Sequence, residues 1–512
     1  MRENAVSRWL FSFSAKGLQG FVMEGGKLRD MVGATSLIDE FCQEEFLKKQ
    51  AVACGCGNEK GDLEIVQAAA GAAKILFKNR DAAERMARLW PVFCSAWAPG
   101  MDVVQDLREV SEGCWMEALK ASAEAMEMDR KFPGRPEMTA TPVMELAPRT
   151  GRPAMDESHE GLIDESSVRK REIRGAKNPV ILTRCGLEDV RIPDDFESIA
   201  GGEGGDMAIV HADGNGLGQL FLNLVNATTA EMDEQEVRTC FKDFSDLIAK
   251  KTASAVQEAI DGVWPEKERT AEDGQTTLIA PILPIVLAGD DLTLVCRADL
   301  AFRFTELFLR DWEVKMSAGL RDINGPEALK KVLTEWQPSA GAGIVFCKPS
   351  YPFARAYELV ENLASFAKGE AKIKNPAAPG ATLSFFGISG SSASESVDDL
   401  REREWLGDGV SFEAGPYWLT REGDGKSLED LRILASATRK LSSGKARTLL
   451  THLREDFSRV KPLLDRLKVT EKKNFSEILE SEVLLTEKNP WLDALTLYGV
   501  EIPKKVTTNK DE

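Results

Sequence analysis

Residues that bind metals or form disulfides are scarce in this sequence. It contains three histidines and nine cysteines, an odd number, and no two CxxC pairs that could form a zinc ribbon. Several cysteines lie inside apolar runs such as LTLVC and IVFC, which is typical of buried thiols in a reducing compartment. We therefore predict reduced cysteines, no structural zinc and a cytoplasmic location.

Long hydrophobic runs are also missing. The longest apolar stretch, Leu278 to Ala288, is interrupted by prolines. Because a spanning helix needs about 20 consecutive apolar residues, we predict no membrane span and no signal peptide. Basic residues are outnumbered as well, since 65 Lys and Arg stand against 83 Asp and Glu, a net charge of -18. This balance disfavours a protein that mainly grips bare nucleic acid, so contact with RNA is expected to be local or supplied by partners.

The chain nevertheless has enough apolar material for several cores. Its 512 residues are 43% hydrophobic, which predicts two to four globular domains. One order of strands and helices occurs twice. The predicted strands of the first copy are Arg8 to Phe13, Leu63 to Ala70 and Lys74 to Phe77, and those of the second are Met207 to Ala212, Ile282 to Leu287, Leu292 to Cys296 and Ala340 to Phe346. We interpret this as a mixed α/β (α+β) chain with two ferredoxin-like βαββαβ units.

The two copies differ in their acidic residues. Ala70-Gly71-Ala72-Ala73 aligns with Ala288-Gly289-Asp290-Asp291, and FSFSAKGLQGF aligns with IVHADGNGLGQLF, so that Ser14 stands where Asp213 stands. We predict four domains: a degenerate first unit (1–105), an inserted linker subdomain (106–200), a second unit with the functional site (201–390) and a C-terminal helical domain (391–512).

Three carboxylates of the second copy form the strongest candidate site. Asp213 follows a strand, and Asp290 and Asp291 occupy the turn of a hairpin that can meet the end of that strand. Phosphoryl transfer needs divalent metals held by hard oxygen ligands, and three converging carboxylates supply them. We predict that Asp213, Asp290 and Asp291 are the catalytic and metal-binding residues, with Mg²⁺ or Mn²⁺ as cofactor. A calcium-binding loop is excluded, since its twelfth position would be Leu224 instead of Glu.

Glycines around these carboxylates have matching roles. Gly289 can take the positive φ of a tight hairpin turn and lets phosphates approach the backbone. Gly214, Asn215 and Gly216 lead into a helix whose first amides attract phosphate. We predict that these four residues contact the nucleotide.

At these motifs the sequence resembles the palm-containing large subunit of type III CRISPR effector complexes. The resemblance rests on SFSAKGLQGFVMEGGKLRDMVGATSLIDEF, on HADGNGLG with AGDD, and on SAGAGIVFCKPSYPFARAYELVENLASFAK, and it runs over about residues 5 to 390. It implies two palm domains of the nucleotidyl cyclase and polymerase type, the second of which converts ATP into cyclic oligoadenylate messengers. It also implies other subunits of an RNA-guided antiviral complex as partners, guide and target RNA bound through that complex, and an oligomerisation that depends on nucleotide.

The sequence departs from this family in three places. Ala288 replaces the leading Gly of the family's Gly-Gly-Asp-Asp hairpin, although a small residue is kept. No His-Asp dipeptide marks a nuclease domain, so DNA cleavage by this chain is not expected. The stretch before Arg152, where the family often carries a zinc module, contains no cysteine.

Three further features allow two interpretations each. Lys368 matches the family's Ala-Lys and could bind the triphosphate, or it could be a solvated lysine at a helix end. Ser339 could face the nucleotide or simply begin a strand. The basic stretch could touch RNA or an acidic partner, or it could be a solvated helix face; it comprises Arg169, Lys170, Arg171, Arg174 and Lys177.

The function predicted from the sequence is Mg²⁺-dependent nucleotidyl transfer on ATP that yields cyclic oligoadenylates. Two alternatives remain. A catalytically silent, nucleotide-binding scaffold would agree with the Ala288 departure, and a stand-alone cyclic dinucleotide synthase would share the chemistry but usually carries Glu where Asp291 stands.

Overall fold

The computed structural model describes most of the chain. The described residues are 8–57, 59, 61–69, 71–111, 113–132, 141, 143–159, 161–176, 179–202, 204–229, 231–265, 269, 278–388, 396–408, 410–420, 426–438, 441–470 and 488–501. Ala70 and Lys177, which were part of the motifs above, lie outside them. The mixed α/β class is confirmed, and none of the described helices is long and apolar enough to cross a membrane.

The first half is built on a four-stranded antiparallel sheet with the order β2-β3-β1-β4. Its strands are β1 (Arg8–Lys16), β2 (Leu63–Ala69), β3 (Ala72–Phe77) and β4 (Asp102–Val110). Its helices are α1 (Leu18–Met23), α2 (Leu28–Phe41), α3 (Glu44–Ala53), α4 (Arg80–Trp97) and α5 (Trp115–Arg130). The boundary predicted at residue 105 falls inside β4, so the first unit continues at least to the end of this strand.

The second half repeats this order and extends it. The six-stranded sheet has the order β12-β11-β10-β7-β9-β8, in which β8-β9-β7-β10 corresponds to β2-β3-β1-β4. Its strands are β7 (Met207–Gly214), β8 (Ile282–Ala288), β9 (Asp291–Arg297), β10 (Ala340–Cys347), β11 (Thr382–Gly387) and β12 (Tyr417–Trp418). Its helices are α9 (Leu217–Ala227), α10 (Glu234–Val263), α11 (Ala298–Leu320), α12 (Glu327–Glu335) and α13 (Phe353–Lys374).

A small subdomain connects the two halves. It contains the ribbon β5 (Ala154–Ser158) and β6 (Gly161–Asp164), followed by α6 (Glu165–Ala176), α7 (Val180–Arg184) and α8 (Phe196–Ala200). Helix α6 lies so close to α2 that a Cβ on Gly33 would stand 1.9 Å from the carbonyl oxygen of Lys170. Only glycine permits this approach, so the subdomain is fixed to the first unit.

The basic stretch of α6 is used for this attachment, and for its four described residues both interpretations as an external surface are wrong. Lys170 is 1% exposed, and its ammonium donates to the carbonyl of Phe21 at 2.8 Å and to Glu24 at 3.1 Å. Arg171 forms two hydrogen bonds, of 2.6 and 3.1 Å, with the buried carboxylate of Asp30. Arg169 and Arg174 are likewise occupied within the chain, by Trp97 and by Asp194. A sequence pattern shows the charges but not the acids that lie opposite them in the fold.

The two units hold each other at equivalent places. Thr35 on α2 of the first unit donates to the carbonyl of Ile285, the bulged residue of β8, at 2.5 Å. Reciprocally, Gln67, which follows the bulge in β2, donates to Ser245 on α10 of the second unit at 3.5 Å. Each unit therefore braces the hairpin of the other.

The C-terminal helices dock on the second sheet. They are α14 (Val397–Arg403), α15 (Leu428–Thr438), α16 (Ser443–Glu455), α17 (Val460–Thr470) and α18 (Trp491–Glu501). Buried Glu306 on α11 binds Arg432 on α15 through two hydrogen bonds of 2.9 and 2.5 Å. On the other side of this domain, the hydroxyl of Tyr417 donates to buried Asp493 at 2.6 Å.

Asp493 should make the C-terminal domain sensitive to pH. Burial raises its pKa to about 7, so the folded chain keeps a proton that the unfolded chain releases near pH 4. Stability is therefore lost as the pH rises from about 4 to about 7 and is constant above. We expect Asp493→Asn to raise the free energy of unfolding at pH 8 by about 1 to 4 kcal/mol, and to have little effect at pH 4. Thermal unfolding at both pH values measures this; Asp465→Asn, an exposed acid of α17, is the control, and an equal effect at both pH values would contradict the prediction.

Candidate functional site

The strand β7 presents His211 and Asp213 on one face of the second sheet. Side chains alternate along a strand, and β7 pairs with β9 so that His211 faces Thr293 and Ala212 faces Leu292. Continuing this antiparallel register sets Asp213 across from Asp291. Because β7 and β9 are neighbouring strands, the end of β7 lies beside the β8–β9 hairpin, as the sequence predicted.

The hairpin between β8 and β9 has a two-residue turn made of Gly289 and Asp290, with Ala288 paired to Asp291. Gly289 has φ 69, in the left-handed region that favours glycine. Asp290 turns toward β7, where its carboxylate accepts a hydrogen bond from the backbone N–H of Gly214 at 3.2 Å. A Cβ on Gly214 would stand 2.8 Å from this carboxylate, so a glycine is needed there for the approach.

The three carboxylates repel one another in a largely buried place. Burial, followed by the charge of Asp213, raises the pKa of Asp290 to about 8. Burial, followed by the charges of Asp213 and Glu361, raises the pKa of Asp291 to about 7. One oxygen of Asp291, Oδ1, is buried and has no hydrogen-bond donor among the described residues. Nearby positive charge would relieve both the repulsion and this unsatisfied oxygen.

Helix α13 supplies one positive charge. The ammonium of Lys368 forms an ion pair with Asp213. The helix continues to Lys374, so Lys368 is not at its end, and the interpretation as a solvated terminal lysine is wrong.

Two glycines of β10 allow α13 to come this close. A Cβ on Gly343 would stand 2.4 Å from the carbonyl oxygen of Val360, and a Cβ on Gly341 would stand 2.4 Å from Cγ of Lys368. These positions face His211 and Asp213 across the β7–β10 ladder. Ala340-Gly341-Ala342-Gly343 therefore forms a shallow groove for α13, the helix that carries Lys368.

A polar layer beneath the carboxylates was missed in the sequence. His211 lies 3.0 Å from the hydroxyl of Thr293 and 3.5 Å from Asp291, and burial lowers its pKa to about 4, so it is neutral near pH 7. Tyr357 donates to Glu361 at 2.8 Å, and burial raises the tyrosine pKa. Spacing of four and seven residues places Tyr357, Glu361 and Lys368 on one face of α13, and this polar stripe was the available signal.

The remaining predicted residues fall into two groups. Gly216 has φ 75 and caps the start of α9 beside the site. Asn215, by contrast, is 4% exposed, and its amide donates to Ser339 at 2.9 Å and to the carbonyl of Gly380 at 3.4 Å. Asn215 and Ser339 join β7 to the loop before β11, which leaves neither side chain free to face a nucleotide.

The first unit has the same framework without acids. Gly17 caps α1 in the left-handed region as Gly216 caps α9. Its hairpin turn contains Gly71, which precedes Ala72, and Ala72 is paired with Ala69. By this register Gly71 and Ala72 occupy the places of Asp290 and Asp291. The sequence alignment had matched Gly71 with Gly289 and is therefore shifted by one residue.

A basic residue is kept at the corresponding place of the first unit. Arg130 is the sixteenth residue of α5, as Lys368 is of α13, and its guanidinium donates to Ser14 at 2.5 Å. Ser14 stands where Asp213 stands. The repeat thus extends through the helix after the fourth strand, which the predicted boundary at 105 had placed in the inserted subdomain.

The three carboxylates are suitable ligands for a divalent cation, but their positions do not converge on one metal ion. Among the described residues, no group of three or more His, Cys, Asp or Glu side chains is placed to hold a metal ion. Asp213 pairs instead with Lys368, while Asp290 approaches Asp213 and Asp291 keeps an unsatisfied buried oxygen. Hard carboxylate oxygens that repel one another are the ligands that Mg²⁺ prefers.

Comparisons with known proteins show similarity in fold only. No family model and no curated protein matches the chain. Among solved structures, a chain of the Csm1–Csm4 cassette in complex with pppApApA matches with a TM-score of 0.54 and 13% identity over 98% of this chain and 71% of its own. The same cassette with AMPPNP gives 0.52 and 12% over 98% and 70%, and its apo form gives 0.51 and 13% over 98% and 71%. The chain therefore has the fold of the matched subunit over nearly its whole length.

Proposed function

We propose that this chain is a palm-type nucleotidyltransferase that makes cyclic oligoadenylates from ATP within an RNA-guided type III CRISPR effector complex. The observation that carries the proposal is the meeting of Asp213 with the Asp290–Asp291 turn, opposite Lys368, on one face of the second sheet. The fold supports it, since the matched solved structures include complexes with an ATP analogue and with pppApApA. On this proposal, the two units are palm domains and only the second is catalytic.

The site residues divide the chemistry among them. Asp213, Asp290 and Asp291 would hold Mg²⁺, which would lower the pKa of the attacking hydroxyl and neutralise charge on the triphosphate. The 3′-hydroxyl of one nucleotide releases its proton to water, and its oxygen bonds to the α-phosphorus of the next. The bond from that phosphorus to the oxygen that bridges it to the β-phosphate breaks, and pyrophosphate leaves. Lys368 leaves Asp213 and binds an oxygen of the triphosphate. The first backbone N–H groups of α9 donate hydrogen bonds to another triphosphate oxygen.

Product analysis tests this function. The chain, alone and with its partner subunits and target RNA, is incubated with each labelled nucleoside triphosphate and Mg²⁺, and the products are separated by mass. Cyclic adenylates that require Asp213 support the proposal. Cyclic dinucleotides made without RNA or partners would indicate a stand-alone synthase instead.

A catalytically silent scaffold is the second candidate function. The observation that favours it is the absence, in the described part of the chain, of a three-ligand metal group, together with the Lys368–Asp213 ion pair. ATP binding and assembly without any product, under every condition above, would identify the scaffold.

Substitution of Lys368 should separate nucleotide binding from assembly. We expect Lys368→Met to raise the KM for ATP at least about ten-fold, because a charge-assisted hydrogen bond of about 1.5 to 3 kcal/mol is lost. Lys372→Met, an exposed lysine on the same helix, is the matched control and should leave KM unchanged. Steady-state kinetics of the assembled complex measures both, and equal KM values for the two variants would refute the role of Lys368.

A further inference from the structure

Strand β4 is an open edge of the first sheet. It pairs with β1 over all nine of its residues, and no strand in the described part of the chain lies beyond it. An edge of this length presents a row of backbone N–H and C=O groups that another extended segment can join. Most natural edges are short, covered or twisted away, so a long open edge calls for an explanation.

The duplicated unit shows how this edge is completed. Asp213 pairs with Gly341 in the second sheet, and Ser14 pairs with Val104 in the first, so β10 and β4 are equivalent strands. The outer edge of β10 is covered by β11, which runs parallel to it from Gly341 to Phe346. The same six places in β4 are Val104 to Glu109. The first unit thus has the acceptor strand without a strand in the place of β11.

The surroundings of β4 define what could pair with it. On the side of α4, a cavity of about 320 Å³ lies at the start of the strand, and Pro91, Val103 and Met155 contribute apolar walls. Met155 is 65% exposed. This side of the edge would receive apolar side chains.

The opposite side of the strand is charged. Asp106 and Arg108 form an ion pair there, with hydrogen bonds of 2.7 and 3.0 Å, and Glu124 of α5 lies near the arginine. Glu109, at the end of the strand, is exposed and belongs to the α4 side, because side chains alternate along a strand. With Glu124 beside the ion pair, the charged side favours basic side chains on its neighbour.

We propose that β4 accepts an extended segment of a partner subunit, parallel to Val104–Glu109, in which apolar residues alternate with basic ones. This rests on the assembly that the proposed function includes, and not on catalysis. A second copy of this chain fits less well, because two β4 edges would bring acids together in a protein of net charge -18.

Hydrogen exchange tests the pairing. The amides of residues 104–109 that point away from β1, and so form no bond in that ladder, are followed in the purified chain and in the complex assembled with its partner subunits. We expect exchange at least ten-fold slower in the complex. Unchanged rates would overturn the proposal. So would slow exchange in the chain alone, whether it depends on protein concentration, which would indicate self-pairing, or does not, which would indicate a segment of the same chain.

A pair of variants adds an affinity measurement. Leu107→Lys places a charge on the apolar side of the edge and should weaken assembly at least ten-fold. Leu89→Lys, on an exposed apolar residue of α4, should not. Equal affinities of the two variants would count against β4 even if the wild-type exchange pattern changed. Because neither experiment measures nucleotide turnover, an inactive site and an unoccupied edge give distinguishable results.

Discussion

Replacing Asp290 and Asp291 together with Asn should abolish nucleotidyl transfer and at the same time make the metal-free protein harder to unfold. Activity should fall at least about a thousand-fold, since the bound cation supplies several kcal/mol of stabilisation to the transition state. Stability should rise at pH values above about 4, where the unfolded chain ionises both carboxyl groups, because burial and mutual repulsion raise their folded-state pKa values to about 8 and about 7. Product analysis and thermal unfolding without divalent metal measure the two effects.

Mg²⁺ provides a further readout for the same variant. It should raise the melting temperature of the wild type and leave that of the double variant unchanged. Asp81→Asn, on an exposed acid that follows the first unit's hairpin, serves as the control and should retain both activity and the Mg²⁺ response. A double variant that still makes product, or that still responds to Mg²⁺, would remove these two residues from the site.

Gly343→Val should displace α13 and cost more than about 2 kcal/mol of stability. Propensity alone predicts the opposite, because valine favours strands and glycine weakens them. The structure decides against propensity, since the new Cβ would stand 2.4 Å from the backbone oxygen of Val360. Displacement of α13 would also carry Lys368 away from Asp213, so activity should fall with stability. Denaturant unfolding and product analysis check this.

The control substitution lies on α13, the helix that packs against Gly343. A Cβ on Gly369 has no heavy atom within 4 Å, and alanine is the better helix former. Gly369→Ala should therefore be neutral or stabilising by up to about 1 kcal/mol. If Gly343→Val proved as stable as Gly369→Ala, the close approach of α13 to β10 would not exist in solution.

The sequence predicted those parts of the site that depend on local pattern. The end of β7 and the turn of the β8–β9 hairpin were recognisable because alternation and a turn glycine are local signals, and the pairing order then followed from the repeat. The partner of Lys368 was not predictable in this way. It depends on the close approach of α13 to β10, which Gly341 and Gly343 permit because they have no side chain, and only the packed helix shows that a side chain is excluded there.

Two errors show where pattern reasoning stopped. The basic stretch of α6 was interpreted as an outer surface because its acidic partners, Glu24 and Asp30, lie about 140 residues earlier in the chain. The first hairpin was aligned on its glycine, whereas the ladder places Gly71 at the position of Asp290. In both cases long-range geometry, which neither spacing nor composition encodes, decided the outcome.

The reciprocal contacts of Thr35 with Ile285 and of Gln67 with Ser245 make the chain a covalent heterodimer of two related halves. Free subunits of that kind would sort into three combinations, of which one would hold two acidic turns and another none. Fusion in one polypeptide removes this sorting, so every molecule has a single acidic turn beside a neutral one. The neutral half then needs to keep its contact with the acidic hairpin, while its own turn is free to change.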